Sequence, residues 1–349
     1  MAFLSFDNVG IEGISACVPK NIKKNKDLKS LLGEDELNKV INSIGIEEMR
    51  YADKGITPAD LCISSAKTLI EDLKINKSDI DLVLFLSQNG DFKIPATSPS
   101  IQHKLGLPKT TACIDLTLAC SGYVYALSTA YAYVSQPTIN KVLLLVGETF
   151  SQIVSKNDKV NLPLYGDAGT ATIVSKGDYG KSQFNLYSDG SGFKSIHIPA
   201  GGARCPSSIE TVKVREMENG NSRTLHQLYM DGLDVFNFTL KVVPSSVKEA
   251  LLKSNNNNDT IDYFLFHQAN RFMIDFFRKK LKIIDKKVPI SLDKFGNVSS
   301  ATIPLTLVTK LRDKIKNKKL LLSGFGAGLS WATAVLNTSN CQISKLKEL

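Results

Sequence analysis

Residues 80–89 read IDLVLFLSQN and residues 261–270 read IDYFLFHQAN. Each opens on Ile-Asp, passes through a short apolar run, and ends on polar residues: Ser87-Gln88-Asn89 in one, His267-Gln268-Ala269-Asn270 in the other. Short apolar runs bounded by polar residues read as buried strands. The offset between the two is 261 − 80 = 181 residues. A second pair, KVLLLVG at 141–147 and KKLLLSG at 318–324, lies at an offset of 318 − 141 = 177. Either match alone is weak, since apolar strands resemble one another easily, but two in the same order at a nearly common spacing indicate a duplicated unit.

The strands predicted from this pattern are Asp81–Gln88, Lys141–Gly147, Thr170–Val174, Ile261–Phe266 and Leu320–Ser323. Helical periodicity lies between them at Pro58–Leu73, Ser121–Val134, Leu228–Leu252, Ala269–Leu281 and Ala301–Ile315. The first has the sharpest start, with Thr57 placed to cap, Pro58 in the first turn and Asp60 at capping-box spacing. Alternating strands and helices of this length imply an α/β fold with largely parallel sheets. The expected division is an N-terminal half, 1–178, and a C-terminal half, 179–349, with the boundary near 175–185, where GDYGKSQ is rich in Gly and polar residues.

Composition narrows the class. The 349 residues, 43% of them hydrophobic, exclude disorder as the dominant state, and only Asn255–Asn258 is low in complexity. No stretch approaches the roughly 20 apolar residues that a membrane-spanning helix needs. The start, MAFLSFDNVG, lacks the basic and long apolar regions of a secretory signal, so a cytoplasmic location is expected. The six cysteines, Cys17, Cys62, Cys113, Cys120, Cys205 and Cys341, form no paired spacing, which favours free thiols over a disulfide framework or a metal site. Lys and Arg exceed Asp and Glu by 43 − 34 = 9. The basic clusters Lys20–Lys29 and Lys310–Lys319 lack interleaved aromatics, so nucleic acid is a poor candidate partner.

Three residues stand where chemistry could be done. Cys120, in DLTLACSG, immediately precedes a helical pattern, where unpaired backbone N–H groups and the helix dipole favour thiolate. A cysteine between apolar residues also serves as a small core side chain. His267 directly follows a strand, at the C-terminal end where open α/β sheets gather ligands, although a hydrogen-bonded structural histidine fits equally. Asn297, in KFGNVSSAT, is locally an ordinary turn or cap residue. The turn Gly324-Phe325-Gly326-Ala327-Gly328 leads into a second strand and is no dinucleotide fingerprint; its backbone N–H groups could form part of an oxyanion hole. YGDAG at 165–169 reads as a structural loop, and His103, His197 and His226 as surface or core residues.

Six segments, DLTLACSGYVYAL, YGDAGTATIV, MDGLDVFNF, LFHQAN, KFGNVSSATIP and GFGAGLSWA, carry a resemblance to the β-ketoacyl-[acyl-carrier-protein] synthase III family in order and spacing, from about Ile11 to Leu336. The resemblance implies the thiolase fold, two similar halves in five layers (αβαβα), assembled as a homodimer. It implies acyl transfer to Cys120, then decarboxylative Claisen condensation with a malonyl thioester, His267 and Asn297 stabilising the enolate. The backbone N–H groups of Cys120 and of the Gly326–Gly328 turn, Ala327 above all, would hold the tetrahedral oxyanion. Phe325 would shape the malonyl site, and Ile94 would reach into the neighbouring subunit's acyl pocket. Acyl carrier protein is the implied partner, contacted through Arg271, Arg278, Lys279 and Lys280. No cofactor is implied beyond acyl-coenzyme A or acyl-carrier protein as substrate, and no metal.

One departure bears on the donor. Typical members hold the coenzyme A adenine with a Trp and an Arg, where this chain has Lys39 and Ser43; its single tryptophan is Trp331. A carrier-bound or longer donor, and a specialised rather than primary acyl pathway, would suit that change. Transfer of the acyl group from Cys120 to an alcohol or amine is the main alternative, against which Asn297 counts. A non-catalytic partner subunit would not need Cys120, and a papain-like hydrolase, which also uses Cys, His and Asn, lacks the duplicated strands. The tail after Leu336 has no assigned role.

Overall fold

The computed structural model describes residues 2–217 and 220–349. Ten strands form one hydrogen-bonded sheet system. They are β1 (Ala2–Val18), β2 (Ile80–Leu86), β3 (Ala112–Leu116), β4 (Lys141–Thr149), β5 (Asp167–Ser188), β6 (Tyr263–Phe266), β7 (Lys319–Gly326), β8 (Ser330–Asn337), β9 (Gln342–Ile343) and β10 (Lys347–Glu348). The neighbour order is β6–β7–β8–β5–β4–β2–β3, with β1 also on β5, and β9 and β10 also on β1. The 22-residue β5 pairs with β4 through 167–175 and with β8 through 183–188, so one strand serves both halves. The Gly-rich segment at 177–183, expected to mark a boundary, lies inside this strand and forms no linker.

The sequence echo is an echo of strand pairing. In the first half β2 runs parallel to β4, and β4 antiparallel to β5; in the second, β6 runs parallel to β7, and β7 antiparallel to β8. Leu86 faces Val146, and the corresponding pair is Phe266 and Ser323. A β-bulge between Ile80 and Leu82 adds one residue to the first half, which explains why the offset of 181 at Ile80 becomes 180 at Val83 and Tyr263. The repeated Ile-Asp has a shared purpose. Asp81 accepts backbone N–H bonds from Asn140 and Lys141, and Asp262 accepts one from Lys319 at 2.9 Å, each fixing the start of the neighbouring parallel strand.

Both faces of these strands are covered, which is why their sequences are continuously apolar. Leu82, Leu84 and Leu86 point into a central core, while Val83 and Phe85 point outward to a second one, following the period of two. The central core contains helices α4 (Gly122–Val134) and α7 (Thr302–Leu311). Helices α2 (Pro58–Asp72) and α3 (Ser98–Leu105) cover the outer face of the first half. Helices α5 (Gly232–Lys253) and α6 (Arg271–Lys280) cover the outer face of the second. The result is five layers, αβαβα, with a further helix, α1 (Glu34–Ile44), beside α6.

Local signals hold where side chains set them. Thr57 Oγ1 accepts the Asp60 N–H at 3.3 Å and the Asp60 carboxylate accepts the Thr57 N–H at 3.1 Å, completing the capping box of α2. The helix expected from Leu228 begins instead at Gly232, because Asp231 caps it by accepting the Leu233 and Asp234 N–H groups. The tail after Leu336 returns as β9 and β10, which pair in parallel with Gly13–Ile14 and Cys17–Val18 and cover an edge of β1.

Candidate active site

Cys120 lies on the turn between β3 and α4, one residue before the N-cap Ser121. The end of β7 presses directly on this turn. A Cβ on Gly326 would stand 2.7 Å from the Cys120 Cβ, and one on Gly324 would stand 2.9 Å from the Ser121 Cα, so only glycine allows the approach. The Ser330 hydroxyl donates to the Ala327 carbonyl at 2.8 Å and lies 2.7 Å from Ser121 Oγ, which ties the Gly326–Gly328 turn to the start of α4. Burial pushes the Cys120 thiol up to about 11; the Ser299 hydroxyl, 3.6 Å from Sγ, and the backbone N–H groups of Cys120 and Ala327 pull it back down. The thiolate expected from the helix N-terminus is therefore not the resting form. Desolvation outweighs the helix end, and the site holds a thiol.

His267 follows β6 and is nearly inaccessible. Burial pulls its ring down to about 3, so the imidazole is neutral across the physiological range. Nδ1 lies 2.7 Å from Thr302 Oγ1, which also donates to the Ser299 carbonyl at 2.9 Å. Phe325 stands edge-on to the imidazole with centroids 5.3 Å apart, and Phe277 supports Phe325 in turn at 5.3 Å. Asn297 is fixed from both sides: its backbone N–H donates to the Leu164 carbonyl at 2.8 Å, and its Oδ1 accepts the Ser299 N–H at 2.8 Å. That acceptor bond leaves the Nδ2 donors for the cavity.

Two cavities meet at Cys120, with Tyr165 and Ile196 also bordering both. The smaller, about 360 Å³, is walled by His267, Asn297, Phe325 and Gly326 on the reactive side. Glu36, Val40 and Ile44 line its other side at helical spacing, one stripe of α1. Lys39 and Ser43 lie off that stripe, and Trp331 stacks on Tyr187 at 5.2 Å in a separate cluster. The larger cavity, about 950 Å³, extends from Cys120 past Phe85, Thr117, Phe150 and Ile198 to the loop bearing Phe92. Ile94 is 89% exposed and does not line the cavity of its own chain.

The basic residues of α6 are not equivalent. Arg271 and Arg278 both pair with Asp275, at 2.9 and 3.7 Å, and Arg278 also with Asp285 at 2.7 Å. Lys279 and Lys280 are exposed at the helix end and form no ion pair among the described residues.

Several site residues escaped the reading of the sequence. Tyr165 forms the partition between the cavities, stacked on Phe150 at 5.0 Å, with its hydroxyl donating to Met230 Sδ at 3.7 Å. Glu148, at the end of β4, is fully buried and accepts from the Ser87 hydroxyl, the Gln88 N–H and the Ser300 hydroxyl. Burial pushes its carboxyl up to about 8. Its signal was a lone acid closing the apolar run KVLLLVG. Asp167, raised by burial to about 6, accepts N–H bonds from Ala52 and Ser151 and anchors the loop after Tyr165.

With this geometry in place, comparisons with known proteins agree. Residues 114–190 match the family model described as 3-oxoacyl-[acyl-carrier-protein (ACP)] synthase III, and residues 251–338 match the model of its C terminal. The chain is 33% identical over 334 residues to a beta-ketoacyl-[acyl-carrier-protein] synthase III of Caldanaerobacter subterraneus subsp. tengcongensis, covering 95% of this chain and 98% of that one. It is 33% identical over 330 residues to the protein of the same name from Clostridioides difficile, covering 94% and 97%. Among solved structures, a 3-oxoacyl-(acyl-carrier protein) synthase from Burkholderia xenovorans LB400 superposes with a TM-score of 0.93 at 32% identity, covering 100% of this chain and 99% of that one.

Proposed function

The chain belongs to the 3-oxoacyl-[acyl-carrier-protein] synthase III family of acyl-transferring condensing enzymes, and from that premise we propose how its own residues divide the reaction. Cys120 takes an acyl group from a thioester. Because the resting group is a thiol, its proton leaves as sulfur attacks, and the departing thiol carries a proton away, so this half-reaction is balanced. Transfer between thioesters has little thermodynamic cost. The acyl chain occupies the 950 Å³ cavity.

A malonyl thioester then enters by the 360 Å³ cavity, whose wall carries His267 and Asn297. Loss of carbon dioxide leaves an enolate, and its oxygen is met by the Asn297 Nδ2–H and by an Nε2–H of the neutral His267 ring. The Thr302 hydroxyl has one proton: given to the Ser299 carbonyl it makes Oγ1 an acceptor for Nδ1–H, and turning it to Nδ1 gives the Nε2–H tautomer that this step uses. The enolate carbon attacks acyl-Cys120, the Cys120 and Ala327 N–H groups hold the oxyanion, and the β-ketoacyl thioester leaves as Cys120 regains a proton. The single observation that carries this reading is Cys120 at the junction of two cavities, with His267 and Asn297 together on the wall of only the smaller one.

The working unit is a homodimer in which Ile94 of each subunit enters the other's larger cavity. Its exposure, and that of Phe92 at 68%, support this. The carrier protein docks at α6 through Lys279 and Lys280, the charges of Arg271 and Arg278 being partly offset by their ion pairs with Asp275. The α1 stripe of Glu36, Val40 and Ile44 offers neither an aromatic ring nor a cation to the adenine and phosphates of coenzyme A, which favours a carrier-bound acyl donor, and the proposed reaction uses no cofactor or metal. No described helix is long and apolar enough to cross a membrane. The test is the intact-protein mass after incubation with acyl-coenzyme A and acyl-carrier donors, followed by malonyl carrier protein. The reading expects an acyl adduct on Cys120 that disappears with release of carbon dioxide; an adduct discharged equally fast to an alcohol or amine without malonyl thioester would refute it.

A further inference from the structure

The turn carrying Asn297 is strained where it meets Cys120. Ser299, a non-glycine residue, sits at φ +49°, in the left-handed region. Such a conformation persists only when its surroundings over-determine it. On one side Thr302 holds the Ser299 carbonyl. On the other, Ser300 donates to Glu148 Oε1 at 3.2 Å. Glu148 belongs to the other half of the molecule, where the Ser87 hydroxyl at 3.3 Å and the Gln88 N–H at 3.2 Å also converge on its carboxyl. The Ser87 oxygen is in turn fixed by the Asn89 N–H at 3.0 Å, and Ser87 to Asn89 line the larger cavity. One fully buried side chain thereby joins the floor of the larger cavity to the turn that aims Asn297.

We infer that Glu148 is a positioning residue for the condensation step: by holding Ser300 against the ends of β2 and β4, it fixes the Asn297–Ser299 turn over Cys120. Glu148 touches no reacting atom. It acts through Ser300, which precedes Ala301 and the start of α7, and its effect reaches the malonyl side through the Ser299 N–H to Asn297 Oδ1 bond. The backbone around the nucleophile is held by Ser121, Ser330 and the glycines of β7, and the strut's turn reaches Cys120 through the Ser299 hydroxyl 3.6 Å from Sγ, so acylation depends on the strut less than condensation does. This inference rests on the condensing reaction proposed above.

The test measures two rates in each variant: acylation of Cys120 by intact mass, and carbon dioxide release with ketoacyl formation. Glu148→Ala is expected to slow condensation at least tenfold while acylation stays within about threefold of wild type. Glu148→Gln, which keeps an acceptor for Ser300 and Gln88, is expected to restore most of the condensation rate. Ser300→Ala removes one hydroxyl from a folded protein and is expected to slow condensation alone by about threefold or more, so it carries the test if Glu148→Ala does not fold. In an Asn297→Ala background, the Glu148→Ala loss should shrink to under threefold, because the residue it aims is gone. Equal losses in both rates, no loss in either, or full additivity with Asn297→Ala would overturn the inference while leaving the reaction intact. A wild-type protein that acylates but never releases carbon dioxide would instead refute the reaction, and the inference with it.

Discussion

The two halves share a backbone plan and use it for opposite ends. At the tips of the parallel pair in the first half stand Ser87 and Glu148, one residue past β2 and near the end of β4. At the corresponding places in the second half, reached by the offsets of 180 and 177, stand His267 and Phe325. The first pair closes on itself, the carboxyl occupied by Ser87, Gln88 and Ser300. The second stays open, the imidazole and the phenyl ring facing a cavity. A duplicated scaffold offers two equivalent strand ends, and the side chains at those few positions make one a support and the other a reactive wall.

The comparison can be broken most severely at the residue both halves enclose. Cys120→Ser is expected to lower ketoacyl formation by about a thousandfold or more, since the poorer hydroxyl nucleophile has no adjacent base; continuous product assays check it. Next comes the open end. His267→Ala and Asn297→Ala should each cost about a hundredfold in carbon dioxide release, typical for a lost oxyanion donor, while Cys120 still acylates. Equal damage to acylation would erase the division of labour between the cavities. Gly326→Ala, whose Cβ would stand 3.1 Å from the Cys120 Sγ, is expected to slow acylation itself by about tenfold, read by stopped-flow or mass.

The smallest effect concerns the closed end. Glu148 has its folded pKa raised to about 8 from the ordinary 4.5, so the folded state keeps a proton that the unfolded state gives up. Its contribution is complete below pH 4.5, is lost progressively as pH rises to about 8, and is flat beyond. Glu148→Gln should flatten that part of the melting-temperature profile. An unchanged slope would mean that the carboxyl is ionised in the folded protein. His267, already neutral, should add no break to the activity profile between pH 5 and 8.

Much of this was legible in the chain itself. The strand runs and the capping box at Thr57 announce themselves by local pattern, because periodicity and turn chemistry are local properties, whereas Cys120, His267 and Asn297 stand out together only through the six ordered segments of the family resemblance. The supports were not legible. Ser300 and Glu148 are 152 residues apart, Ser121 and Ser330 are 209 apart, and only strand register brings them together. The boundary at 177–183 misled for a related reason. Its Gly and polar residues do interrupt the pairing with β1, which stops at Lys176 and resumes at Lys181, but the irregularity stays inside β5, where the strand passes from one half to the other. The thiol of Cys120 misled because helix position can be read from sequence and burial cannot.

The central claim is that an acyl group waits on Cys120 for a carbon nucleophile made by decarboxylation. The most direct measurement follows a single turnover by intact mass, with protein first loaded by an acyl donor and then mixed with carboxyl-labelled malonyl carrier protein. The account predicts that the Cys120 adduct is lost at the same rate as labelled carbon dioxide appears, one for one, with β-ketoacyl product. Loss of the adduct without carbon dioxide, or carbon dioxide released at the same rate from protein never acylated, would contradict it.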